Sequence, residues 1–121
     1  KLPYSYVRPK PKEHGLGNQI EGLVNKGQKI LVVEDLISTG KSSLEVCEVL
    51  RAAGAEIIGM VSIFNYGFDQ AAVSFENAGI RLVSLTNYGS LTALAVESGF
   101  VGKETLDSLL EWRSNPSGWG K

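Results

Sequence analysis

Strand-length apolar runs alternate with helix-patterned segments through most of this chain, and few architectures accept that order. Residues 29–33 form a near-continuous apolar run. A helical pattern follows over 42–53, with Leu44, Cys47 and Leu50 on one face and Gly54 at the C-terminal stop. A second buried strand is expected over 56–64, with Ile57, Ile58, Val61 and Ile63 among its members. Asp69 is placed to cap a helix that reaches Ala78 and ends at Gly79. Residues 81–85 give a further strand, and Ser90 is placed to cap a helix through Val96. An amphipathic helix follows over 103–112, with Leu106, Leu109 and Leu110 apolar and Pro116 beyond its end. Apolar strands separated by helices predict a parallel sheet covered on both faces. The expected class is α/β, a doubly wound parallel sheet with right-handed crossovers, and residues 1–121 are expected to form a single domain.

The first 27 residues break this rhythm. A short strand over 3–7 is expected to run into a loop punctuated by Pro and Gly that extends over about residues 8–27. Lys1, Arg8, Lys10, Lys12 and His14 crowd the first fourteen residues of the chain, with Glu13 the only acid there. Loops this long inside a compact domain are often functional or mobile; a solvated basic arm at a frayed end is the alternative that composition leaves open. At the other end, residues 114–121 read as a tail that holds Trp119 in Gly- and Pro-rich surroundings. Trp112 is expected to pack the last helix, and Cys47 to lie in the core. Four strands are few for such a sheet, and the chain does not begin with Met. Both features lead to the expectation that an N-terminal part precedes this one.

Composition removes several classes of function. Hydrophobic residues at 43% and charged residues at 21% are ordinary for a globular chain and argue against disorder. Twelve Lys and Arg against thirteen Asp and Glu give a net charge of −1, so no sequence-independent nucleic-acid partner is expected. No run of eighteen apolar residues exists for a membrane span, and no signal-peptide core stands at the start. The single cysteine cannot close an internal disulfide or anchor a Cys-based zinc site. A cytoplasmic location fits best.

The chemistry concentrates in residues 30–43, Ile-Leu-Val-Val-Glu-Asp-Leu-Ile-Ser-Thr-Gly-Lys-Ser-Ser. An apolar strand is expected to end in Glu34 and Asp35, and a short hydroxyl-rich loop then leads into a helix. Ligands of open α/β sheets bind beyond the carboxyl ends of strands. A helix start offers unpaired N–H groups and partial positive charge. Ser38, Thr39 and Ser42 add hydroxyl donors, and Gly40 lets the backbone approach closely, which makes a cradle sized for one phosphate. The carboxylates suit sugar hydroxyls or a hydrated magnesium ion. The bland alternative has Ser42 merely capping the helix and the two acids in a turn. Gly40-Lys41-Ser42 mimics the end of a nucleoside-triphosphate P-loop, but that motif needs glycine where Asp35 stands. A response-regulator receiver is also disfavoured, because the next strand ends Phe64-Asn65-Tyr66 with no acceptor Asp.

Residues 32–42, Val-Val-Glu-Asp-Leu-Ile-Ser-Thr-Gly-Lys-Ser, resemble the phosphoribosyl-pyrophosphate motif of type I phosphoribosyltransferases. Residues 6–22, Tyr-Val-Arg-Pro-Lys-Pro-Lys-Glu-His-Gly-Leu-Gly-Asn-Gln-Ile-Glu-Gly, resemble the mobile catalytic loop of the orotate phosphoribosyltransferases within that family, and Leu109-Leu110-Glu111-Trp112-Arg113 resembles their C-terminal helix. The resemblance implies transfer of ribose 5-phosphate from phosphoribosyl pyrophosphate to orotate, with orotidine 5′-monophosphate and pyrophosphate as products. It implies Arg8, Lys12 and His14 as catalytic residues on the pyrophosphate, Lys12 foremost. Glu34 and Asp35 would hold the ribose hydroxyls, and Ser38, Thr39, Gly40, Lys41 and Ser42 the 5′-phosphate. Lys41 acts there through its backbone N–H or is an ordinary exposed lysine. Magnesium is implied as cofactor through the substrate, with contact to Asp35 through water left open and no direct protein ligand. A homodimer is implied, the loop closing over the neighbouring subunit's site. Two positions depart from the pattern: Pro9 follows the loop arginine where some members have lysine, and Asn65-Tyr66 stand where some have an orotate-binding arginine. Members are also longer, so the 121 residues alone are expected to have little or no activity. Another phosphoribosyltransferase, or a phosphoribosyl-pyrophosphate-binding regulator without transferase activity, is the alternative.

Overall fold

The computed structural model describes residues 2–10 and 19–120. Its centre is a parallel sheet of three strands in the order β3-β4-β5, formed by Lys29–Ile37, Glu56–Asn65 and Leu82–Asn87. Helix α1 (Lys41–Ala52) joins β3 to β4, and α2 (Asp69–Ala78) joins β4 to β5. Helices α3 (Tyr88–Glu97) and α4 (Lys103–Ser114) follow and pack on each other, α3 also against β5. The α/β class and the parallel sheet are as the alternation of apolar runs predicts.

The N-terminal strand lies elsewhere than expected. Only Tyr6–Val7 is extended (β1), and it pairs antiparallel with Ile20–Glu21 (β2), a strand inside the stretch read as loop. The pair forms its own two-stranded sheet, so the parallel sheet has three strands instead of four. Two-residue strands carry too little apolar periodicity to be read from sequence. Val7, Ile20 and Val24 nevertheless lean on the main core.

Among the described residues, α1 and α2 cover one face of the sheet. Each crossover steps in the same direction along β3-β4-β5, and right-handed connections then place both helices on one face. A change of direction, which sends helices to the second face, does not occur among these three strands. Val32 and Met60 meet Cys47, Leu50, Ala71 and Phe75 on the covered face. Ile37 and Met60 are almost wholly buried. The other face presents Leu31, Val33, Ile58, Ile63, Val83 and Leu85, all exposed, with Leu85 at 83%.

Element ends show where local rules were misassigned. β3 runs to Ile37, so Glu34 and Asp35 lie within the strand, opposite and beside Ser62 of β4. α1 starts at Lys41 behind Gly40, so Ser42 is not its cap. Asp69 is the first residue of α2, where its charge favours the helix dipole, and Phe68 occupies the cap position. α3 begins earlier than expected because Asn87 Oδ1 accepts the Ser90 N–H at 2.9 Å, and Ser90 does not cap. On α1 the buried face is Ser43, Cys47 and Leu50, with Leu44 only half-buried.

Phe75 is 4% exposed and joins α2 to the turn that opens α1. Phe75→Ala is expected to lower the unfolding free energy by about 3–5 kcal/mol, read from the urea midpoint. A loss below about 1 kcal/mol would show that this ring is not part of the core.

Candidate functional site

At the carboxyl end of β3, residues 38–40 turn the chain into α1. Gly40 sits at φ +83°, and a Cβ there would fall 2.8 Å from Phe75 Cε2. A side chain would strain the backbone and strike a buried ring, so glycine is required twice over. The tight turn brings α1 in with no side-chain cap. Leu44 N–H donates to Gly40 O at 2.9 Å, and Lys41 N–H makes a long contact of 3.4 Å to Thr39 Oγ1. Among the described residues no protein acceptor takes the Ser42 or Ser43 N–H. Ser38, Thr39, Lys41 and Ser42 are exposed around these amides. The arrangement is an open anion cradle at a helix start.

The two acids stand in different surroundings. Successive strand residues point to opposite sides, and Glu34 is half-buried toward α1 while Asp35 is exposed. Burial pushes the Glu34 carboxyl above its usual range; a hydrogen bond from the Ser43 side chain opposes this, and the Asp35 charge adds to it. Asp35 Oδ1 accepts the Leu36 N–H at 2.7 Å. Among the described residues no group of three or more His, Cys, Asp or Glu gathers as a metal site. Cys47, packed beneath, is inert: burial raises its thiol to about 11, Arg51 works against that, and Glu34 and Glu48 reinforce it.

The ribbon of β1 and β2 places Arg8. Its backbone N–H donates to Gln19 O at 2.6 Å, and Gln19 Nε2 donates back to Arg8 O at 3.2 Å. The guanidinium is held by Glu21, with Nε donating to Oε1 at 2.7 Å and Nη2 donating to the same oxygen. Arg8 and Lys10 border a shallow cleft of about 420 Å³ with Tyr6 and Pro9. Lys12 and His14 lie outside the described residues. The strand-helix junction thus gathers Glu34, Asp35, Ser38, Thr39, Gly40, Lys41 and Ser42, while Arg8 stands on the ribbon.

A second wall comes from the end of β4. Tyr66 N–H donates to Ile37 O at 3.1 Å, which seats the β4–α2 loop beside the cradle. Asn65 Oδ1 accepts the Gly67 N–H at 2.9 Å and tightens that loop. Tyr66 is the hub of an aromatic cluster: it stacks on Phe68 at 5.3 Å and meets Phe64, Tyr88 and Trp112 at 5.2, 5.9 and 5.7 Å. Ser43 and this cluster escaped the sequence reading. The spacing Ser43, Cys47, Leu50 is a legible signal for the serine, whereas rings from three separated segments give none.

Because ionised Glu34 is disfavoured in the folded chain, stability is expected to fall as pH rises from 4.5 through its raised folded value. Glu34→Gln removes that penalty. The variant should gain stability over the wild type at neutral pH and lose the advantage below about pH 4.5, in the range where the unfolded-state carboxyl protonates. Urea titrations at pH 4 and pH 7 measure it; an equal difference at both would contradict the assignment.

Comparison with known proteins agrees with this geometry. Residues 3–83 match the phosphoribosyl transferase domain family. The chain is 56% identical over 120 residues to the orotate phosphoribosyltransferase of Cytophaga hutchinsonii, covering 99% of this chain and 57% of that protein. It therefore spans a little over half the length of the curated relatives it matches. The orotate phosphoribosyltransferase of Aeropyrum pernix superposes with a TM-score of 0.67 at 33% identity, over 83% of this chain and 54% of that one. The Mycobacterium tuberculosis orotate phosphoribosyltransferase in complex with 5-phospho-α-D-ribosyl 1-diphosphate gives a TM-score of 0.55 at 33% identity, over 60% and 43%. Turn, cradle and the strands β3 and β4 fall within residues 3–83, and the chain belongs to the phosphoribosyl transferase domain family.

Proposed function

We propose that this chain carries the phosphoribosyl-pyrophosphate site of an orotate phosphoribosyltransferase, an enzyme of pyrimidine nucleotide synthesis. The observation that carries the reading is the uncapped start of α1, where free amides and hydroxyls at residues 38–42 meet the carboxylates of Glu34 and Asp35. The names of the relatives supply the base.

In the proposed reaction the bond between the anomeric carbon and the diphosphate oxygen breaks, and its electron pair leaves with the diphosphate. A ring nitrogen of orotate forms the new bond to that carbon. Positive charge grows on the ribose and negative charge on the leaving group, so the protein's task is orientation and charge stabilisation. The amides of Ser42 and Ser43, with the hydroxyls of Ser38, Thr39 and Ser42, hold the 5′-phosphate. Glu34 and Asp35 accept from the ribose hydroxyls. Arg8 and Lys12 neutralise the departing diphosphate, and His14 donates a hydrogen bond or a proton to it. For Arg8 this means exchanging Glu21 for a phosphate oxygen. Magnesium bound through the substrate would supply further neutralising charge, with Asp35 the residue beside its water shell. The stretch between β1 and β2 is proposed to close over the site of a neighbouring subunit in a homodimer and to exclude water from the electron-poor sugar. No helix among the described residues is long and apolar enough to cross a membrane, in keeping with a proposed cytoplasmic location.

Two outcomes test the reading. In a polypeptide of the relatives' full length, Lys12→Ala is expected to lower kcat for orotate-dependent diphosphate release about 10²–10³-fold, the cost of removing one charge-stabilising donor. Phosphoribosyl-pyrophosphate affinity should change far less, and a fall in affinity alone would favour a regulator that binds without transfer. The 121 residues by themselves are expected to give little or no steady-state turnover; normal turnover would refute that part.

A further inference from the structure

Arg113, in the last turn of α4, is a cation to which the proposed mechanism gives no role. It is half-buried, yet among the described residues it has no carboxylate within ion-pair distance and no hydrogen bond. The positions three and four residues before it on α4 are Leu110 and Leu109, so its own helix offers no acid at pairing distance.

Its surroundings are specific. A Cβ built on Gly67 would lie 3.6 Å from Arg113 Nη1, so the guanidinium rests against the bare backbone of the β4–α2 loop. That loop is tied to the end of β3 by the Tyr66–Ile37 hydrogen bond, and parallel neighbours lie about 4.8 Å apart. Arg113 therefore borders the strand next to the phosphate cradle. The residue before it, Trp112, is locked by Tyr66, Phe68 and Tyr88 at centroid distances of 5.5–5.7 Å. Tyr88 Oη donates to Leu109 O at 3.0 Å, fixing the same helix from below. Burial raises the Tyr88 phenol, and the nearby Arg113 charge works against that. The stretch of α4 that carries Arg113 is thus fixed before any ligand arrives, which lowers the ordering cost of binding there.

We propose that Arg113 binds the carboxylate of the acceptor base and so selects an anionic pyrimidine over its uncharged analogue. The inference rests on the orotate reading and extends it to a residue beyond the segment matched to the wider family. A planar guanidinium presents paired N–H donors that fit a carboxylate edge-on. The aromatic cluster positions the arginine; it is not assigned a contact with the base.

The test uses the polypeptide as its gene encodes it, with orotate and uracil as competing acceptors. Arg113→Met should raise the KM for orotate at least tenfold, leave the KM for phosphoribosyl pyrophosphate within twofold, and shrink the preference for orotate over uracil by the same factor. Arg113→Lys should recover part of the loss, and Arg113→Gln replaces the Met variant if that one melts early. An orotate KM within twofold of wild type, with the preference intact, overturns the proposal. If the wild type releases no diphosphate with orotate, the activity reading fails separately. Calorimetric titration with orotate and uracil then decides the site: orotate binding lost in Arg113→Met sustains it, and equal affinity, or no orotate binding to the wild type, overturns it.

Discussion

Gly40 turns the chain from β3 into α1 at a positive φ, and the edge of the Phe75 ring fills the space that a side chain would need. This contact couples three things. It fixes the entry angle of α1, it leaves the helix without a capping side chain, and it ties the cradle to the core through α2. An anion site of this kind depends on backbone groups, which cannot be tuned by exchanging side chains. Its accuracy therefore comes from packing beneath it.

The parallel register then brings separate loops to one edge. β3 pairs with β4 through Ile37 and Asn65, and the next hydrogen bond, from Tyr66, continues across the ends of the strands. The turn after β3 and the loop after β4 become neighbours for this reason alone. The ribbon of β1 and β2 stands apart from that sheet and anchors Arg8 by backbone pairing and by Glu21. The ribbon thus carries a paired charge, and the hydrogen-bond donors are fixed at the turn into α1.

Much of this was legible from sequence because it depends on local order. The apolar run at 29–33, the hydroxyls at 38–42 and Gly40 predict a strand, a turn and a helix start without any knowledge of partners. The caps at Asn87 and Phe68 were misplaced because several polar residues near each helix start satisfy the same rule, and only the backbone path chooses among them. The extension of β3 through Glu34 and Asp35 was hidden because two acids read as a strand end, whereas pairing to Ser62 and Phe64 keeps them extended. Tyr66, Phe68, Tyr88 and Trp112 are scattered over more than forty positions, and no periodicity links them. Their meeting is a tertiary fact. The same holds for the open side of the sheet, since Val33 and Leu85 look like core residues in any window of sequence.

That open side has a thermodynamic consequence. Apolar side chains already in contact with water contribute nothing to the heat-capacity increment of unfolding. Leu31, Val33, Ile58, Ile63, Val83 and Leu85 are of this kind to about half or more of their surface. For the 121 residues by themselves, the stability curve is therefore expected to be flatter against temperature, and the urea transition broader, than chain length alone dictates.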